Sequence, residues 1–544
     1  MTLTSLRTHL GLRAPILGEW SASRMMLALI VVGTAFRMML AGMFGFGNGE
    51  AYYYSCARHA EFSYFDHPPI HAWLARLAIE LGGVDPLIIR LPFILFFAGT
   101  TWLTFVIGRR LFSEKAGLYA AVLLNLSMVF SVTTATFFQP DSPLMFFWLA
   151  AFYGLTRLLL DEAPRHATGW WLVVGLAVGL AMLCKYHAVF LVMGTVFFVA
   201  TTRSQRHWLW HPGPYLALLL MAGCFIPVLM WNSNHEWISF LWQGGRGTQF
   251  KGLRFDWLAR SIGGQAIWLM PWLWLPLVCE LYVCIRRGPV DRARWLVACA
   301  AAPPIVFFTV TALYAPYGFH FHWQAPGYLL LFLPLGATVQ RWLTSTPRDV
   351  RFARRWLKFS TVAFACMFLL LTTHTVSGWL LYVMPGKMAA QVAVVDPTLE
   401  ALDYTPLETF LAERGYLDRD DIFVFTPKWY ISGKVDYALH GRANVLCLSP
   451  DDPRAYAFFD KQAAQLGKDA IIVTQERFCN GEEALYWWHF RGIKPLGTVE
   501  VKRGDRVGVR LNVFLGEAFH ATFPQPYGNT RETKYLWQIA QNKK

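Results

Sequence analysis

Several side chains in this sequence could do chemistry, and they stand in stretches that are otherwise apolar and aromatic. GEAYYYSCARHAEFSYFDHPPIHAWL, residues 49–74, holds Glu50, Asp66, His67 and His71 among tyrosines and phenylalanines. Pro68-Pro69 restricts the chain directly after Asp66-His67. FFQPDSPLMFF places Asp141 among phenylalanines, where a buried acid is costly and marks a functional site by default. The same residue also suits a helix start, because Asp141-Ser142-Pro143 can cap one. Lys185 in MLCKYHAVFL reads either as a fixed cation for a phosphate or as a lysine snorkelling to the interface. WNSNHEWISFLWQGGRGTQFKG carries Arg246 and Lys251 among glycines, which fits closure over an anion and equally a plain surface loop. YAPYGFHFHWQAPGY supplies His320 and His322, whose i, i+2 spacing holds a metal only with a third ligand from elsewhere. Interfacial histidines are the plainer reading.

The elements that position these groups are membrane spans. The 544 residues are 55% hydrophobic and 15% charged, against about 25% charged in an ordinary soluble chain. That excludes a soluble enzyme, a disordered chain and a disulfide scaffold. The net charge of +14 does not indicate nucleic acid, because the basic residues are spread between apolar runs rather than gathered in one patch. Runs of about 20 apolar residues can cross a bilayer, and the sequence predicts about 11 such spans: 25–45, 88–108, 116–136, 142–160, 169–184, 186–202, 214–231, 262–285, 296–314, 327–342 and 359–384. The fifth and sixth are divided at Lys185, since one helix over both would overshoot the hydrocarbon core. Arg109, Arg110, Lys115, Arg157, Arg165, Arg203, Arg206, Arg286, Arg287 and the cluster from Arg348 to Lys358 then fall on one side. By the positive-inside rule that side is cytoplasmic. The loops holding Glu50, Asp66, His67, Asp141, Lys185, Arg246 and His322 are therefore outside, and the stretch 70–81 is amphipathic enough to lie along the interface.

Beyond Pro385 the composition turns soluble. Strands are predicted at 421–425, 444–448, 469–473, 499–501 and 507–514, with helices at 407–414, 428–439, 453–466 and 482–490. This alternation predicts an extramembrane α/β domain over 385–544, outside, beside a transmembrane domain over 1–384. Cys447 and Cys479 lie in that domain and are able to pair in an oxidising compartment. Acids, cations of phosphate-binding type and aromatic walls on one face suit an enzyme that takes a phosphate-linked, membrane-embedded substrate. A transporter would place its polar groups near the midplane in broken helices.

The pieces EAYYY at 50–54 (read with the preceding Gly49), YFDHPP at 64–69, QPDSPL at 139–144, LCKYHAVFL at 183–191 and HWQAPGY at 322–328, in this order, resemble the polytopic C-type glycosyltransferases that use polyprenyl-phosphate sugars. These include the protein O-mannosyltransferases and the lipid A aminoarabinose transferase. The resemblance implies a polytopic α-helical membrane protein of the C-type glycosyltransferase (GT-C) fold with a C-terminal extramembrane α/β domain. It also implies inverting transfer from a polyprenyl-phosphate donor to a glycolipid, glycan or protein acceptor at the outer face of a bacterial inner membrane. The family's first loop carries an Asp-Glu pair whose Asp is the base. Here the pair reads Gly49-Glu50, so the base falls to Glu50, Asp66 or Asp141, or the activity has been lost. His67, Lys185, Arg246 and His322 match donor-phosphate positions. A phosphate leaves bearing its own charge, so neither a metal nor another cofactor is expected, and nucleic acid is not expected as a partner. Two other readings are a lipid-linked sugar flippase and a scaffold without activity.

Overall fold

The computed structural model describes residues 21–250, 252–315, 321–479 and 481–527. Among the described residues, seven helices are long and apolar enough to cross a membrane: Ala22–Met43, Pro86–Leu111, Asp141–Leu159, Ala167–Cys184, Pro212–Asn234, Arg292–Thr311 and Pro347–Ser377. The first six coincide with predicted spans, and the seventh overlaps the predicted 359–384 but starts 12 residues earlier and stops at Ser377, before a separate short helix Leu380–Val383. Asp85 starts the second by accepting from Leu87 N at 2.8 Å, with Pro86 in the first position, where a missing N–H costs nothing.

Of the remaining predicted spans, 116–136 and 262–285 depart from single straight helices. The run 116–136 is a helix only over Glu114–Asn125, followed by a π-helical turn at Val129–Thr134. The buried Arg37 explains the break, since it donates to Asn125 Oδ1 at 2.7 Å and Ser131 Oγ at 3.3 Å and so recruits polar groups that a continuous helix would hide. The division at Lys185 is present: its backbone is extended (φ −162°, ψ 139°) between Ala167–Cys184 and a short turn leading into Val189–Thr201. The run 262–285 bends by 109° between Phe255–Leu269 and Pro271–Val290. The run 327–342 lies within the buried helix Ala325–Thr344. Close approach tightens the bundle where side chains vanish: a Cβ at Gly117 would stand 2.3 Å from Phe105 O.

The stretch between the first two spans forms two helices, Asn48–Arg58 and the amphipathic Ile70–Gly82. The C-terminal part builds a five-stranded sheet from β1 (Ile422–Thr426), β2 (Val445–Cys447), β3 (Asp469–Gln475), β4 (Phe490–Arg503) and β5 (Arg506–Phe519), in the order β2-β1-β3-β5-β4. β1 pairs in parallel with β2 and β3, while β5 runs antiparallel to β3 and β4. β4 and β5 are longer than the sequence predicts because their outer faces carry charges that hide the alternation. The predicted helix 453–466 is absent; only 3₁₀ turns form, at Arg454–Ala457 and Gln462–Gln465. Cys447 is a buried free thiol, and the side chain of Cys479 lies outside the described residues.

The sheet-bearing part docks on the helix Asn48–Arg58 through Trp429–Ala438. Gly433 allows this, as a Cβ there would meet Tyr52 N at 2.6 Å. Lys434 donates to the carbonyls of Phe46, Glu400 and Leu402, and Ser55 Oγ donates to Asp436 Oδ2 at 2.6 Å. At the far end of the docking surface, His374 lies 3.2 Å from Asp396, which Arg503 also contacts at 2.9 Å.

Candidate active site

A cavity of about 640 Å³ lies where the membrane helices meet the sheet-bearing part. Asp66, His67, Asp141, Lys185, Arg246 and His322 all line it, brought together from five separate stretches of the chain. Lys251 and His320 lie outside the described residues.

Asp141 is the first residue of its helix and makes no cap bond with its side chain. Its carboxylate instead receives Lys185 Nζ at 2.9 and 3.0 Å, and both side chains are more than nine-tenths buried. The extended backbone at Lys185 aims the ammonium across the helix break. Because one nitrogen meets both carboxylate oxygens, each oxygen keeps a lone pair for another donor.

Asp66 is held differently. Tyr52 OH donates to Oδ1 at 2.7 Å, Arg454 Nη1 to Oδ2 at 3.0 Å, and Gln243 Nε2 to the backbone carbonyl at 2.7 Å. Burial and the neighbouring Asp66 carboxylate push the Tyr52 phenol well above its ordinary pKa, so it stays a donor. Burial, then the Lys185 cation, lowers His67 well below the usual histidine value and leaves a neutral imidazole in the cavity. The Arg246 guanidinium is sandwiched between Trp242, at 4.5 Å, and Trp323, at 5.1 Å, which fixes its plane.

Glu50, the third candidate acid, stands apart from this cavity. It does not line this cavity, and its carboxylate is consumed by Arg90 at 2.6 and 2.8 Å, by Phe138 N at 2.8 Å and by Gly47 N at 3.0 Å. Arg90 also ties down the carbonyls of Ala41, Phe44 and Gly45. A carboxylate with so many donors braces the first loop. Glu50 borders a second cavity of about 320 Å³ together with Gly49, and Gln139 lines both cavities.

Arg454 has no signature in the local sequence pattern. It comes from the C-terminal part, 388 positions beyond Asp66, and lies 3.8 Å over Trp429. Its backbone is left-handed (φ 48°), a conformation costing about 1 kcal/mol or more for a side chain, and Tyr527 OH accepts from its N–H at 2.7 Å. Among the described residues, no three of His, Cys, Asp and Glu gather as metal ligands would.

Six helix-borne or loop-borne polar groups around a buried cavity on this scaffold define a class. The chain has the fold of the polytopic C-type glycosyltransferases, and the resemblance read from its motifs is borne out by the relatives it matches. The crystal structure of ArnT from Cupriavidus metallidurans bound to undecaprenyl phosphate aligns with 90% of this chain and 97% of that one, with a TM-score of 0.59 and 16% identity. Its apo form aligns with a TM-score of 0.57 and 15% identity over 91% and 98%. Residues 66–231 match the dolichyl-phosphate-mannose-protein mannosyltransferase family. The lipid A galacturonosyltransferase RgtD of Rhizobium johnstonii is 27% identical over 283 residues, which is 49% of this chain and 55% of that protein. The chain thus spans about half the length of this curated relative.

Proposed function

We propose that the protein transfers a sugar from a polyprenyl phosphate to lipid A or a related envelope glycolipid, by inversion. The observation that carries this reading is the cavity in which the Asp141–Lys185 pair faces the stacked Arg246. In this reading residues 1–384 form the transferase domain and 385–544 a cap, both facing the periplasm from the bacterial inner membrane. Asp141 draws the proton from an acceptor hydroxyl as its oxygen bonds to the anomeric carbon. The anomeric C–O bond to the phosphate breaks, and its electron pair stays with the polyprenyl phosphate. Lys185, Arg246, His67 and His322 meet the charge that develops there, the kind of stabilisation worth most in such sites. Asp66 orients Arg454 and Tyr52 in this reading, Tyr52 OH on Oδ1 and Arg454 Nη1 on Oδ2.

Mass spectrometry of envelope lipids from a deletion strain tests this, with complementation by wild type or by Asp141→Asn. One sugar should vanish from a glycolipid and return only with wild type. Full rescue by Asp141→Asn would reject Asp141 as base, and an unchanged lipid profile in the deletion would reject the transferase reading. Loss of sugar from a protein instead would redirect the acceptor.

A further inference from the structure

At the opposite end of the bundle, the first turns of helix Pro347–Ser377 carry a groove that the transfer reaction does not use. Arg348, Arg351 and Arg355 line it with Phe352, Trp356 and Phe359, enclosing about 400 Å³. These six residues recur at helical spacing and form one stripe of alternating guanidinium and ring. Arg354 and Lys358 lie alongside, and none of these five cations is ion-paired among the described residues. Asp349, the one acid in the stretch, is taken by Thr346 at 2.8 Å. The ring wall is fixed: Trp356 Nε1 donates to Trp272 O at 3.2 Å, and Phe359 packs edge-on to Trp272 at 5.0 Å.

Position along the helix says what fills the groove. Lys358 is the last charge, and from Phe359 to the helix end at Ser377 the rise is about 28 Å, close to the hydrocarbon thickness of about 30 Å. The other end of this helix reaches the sheet-bearing part through His374 and Asp396. The cations therefore stand at headgroup level in the leaflet away from that part. Phe359, Val362 and Leu369 are each more than half exposed, so the stripe runs on into a lipid-facing surface. A soluble anion would satisfy the guanidiniums and leave the rings wet, and a zwitterionic lipid would bring its ammonium against them.

We propose that this groove binds an anionic glycerophospholipid, its phosphodiester on Arg348, Arg351 and Arg355 and its glycerol and acyl ends along Phe352, Trp356 and Phe359. The proposal needs the membrane-spanning fold but not the transferase reading. The test is native mass spectrometry of the purified full chain with equimolar phosphatidylglycerol and phosphatidylcholine. Wild type should retain phosphatidylglycerol preferentially, and Arg348→Gln/Arg351→Gln/Arg355→Gln should weaken that retention by at least about tenfold. Arg203→Gln/Arg206→Gln/Arg286→Gln, which removes equal charge from other exposed positions, should leave it unchanged. Equal retention of both lipids by wild type, equal loss in the two triple variants, or displacement of phosphatidylglycerol by stoichiometric polyprenyl phosphate would each overturn the proposal. Should the first triple variant fail to fold, the wild-type competition alone decides.

Discussion

Asp141→Asn separates the two duties assigned to the Asp141–Lys185 pair. Both side chains are buried and bonded at 2.9 and 3.0 Å. Removing the carboxylate charge strands an ammonium away from water, at a cost of about 3–5 kcal/mol. Removing both charges, as Asp141→Asn/Lys185→Met, replaces the pair by groups of similar size and should be close to neutral. Thermal melts in one detergent should therefore order wild type and the double variant together, with Asp141→Asn well below them. A chain of this size does not unfold in two states, so the ordering rather than a single Tm carries the result. Transfer activity should follow a different order. Loss of a base costs about 10²–10⁴ in rate, and loss of a cation facing the leaving phosphate about 10²–10³, so the double variant should be folded and inactive. An Asp141→Asn protein that melts like wild type and transfers at the wild-type rate would refute the reasoning.

Glu50→Gln should destabilise by about 3–5 kcal/mol, because it leaves Arg90 uncompensated and buried; melts should fall while the rate per folded molecule changes little. Arg454→Met should lower transfer by tenfold or more without unfolding the bundle, and Arg454→Lys should restore only part of it, since a lysine cannot both reach Asp66 and lie over Trp429 as the guanidinium does. Acidification should destabilise the protein. Burial, then the neighbouring His67, lowers His71 to about 3, its Nδ1 faces Pro68 O at 2.9 Å, and its Nε2 has no acceptor to take a second proton. The unfolded chain binds a proton near pH 6.5 and the folded chain does not, so stability falls from pH 6.5 toward pH 3. Melts of His71→Gln against wild type should show a weaker pH dependence in that window.

Much of this architecture was legible because hydrophobic run length is a strong signal. The break at Lys185 followed from length alone, and the loop order that brought Asp66, Asp141, Lys185 and Arg246 to one cavity followed from counting spans. What escaped was tertiary. Arg37 breaks the third span through Asn125 and Ser131, contacts with no trace in a hydropathy profile. The pairing of Glu50 with Arg90 was hidden because the partner stands 40 positions away in the next span. Arg454 was invisible for the same reason, at a separation of 388 from Asp66, in a segment read as an ordinary helix. The long β4–β5 hairpin was underestimated because one face is solvated and its polar residues masked the period of two.

Group transfer is proposed at the cavity of Asp141 and Lys185. Its most direct test is a reconstituted assay with purified protein, a polyprenyl-phosphate sugar and lipid A, following both products by mass spectrometry. Glycosylated lipid A and free polyprenyl phosphate should form in equal amounts, and both should be absent for Asp141→Asn/Lys185→Met. Movement of intact sugar-lipid across the bilayer without bond cleavage, or equal turnover by the double variant, would contradict it.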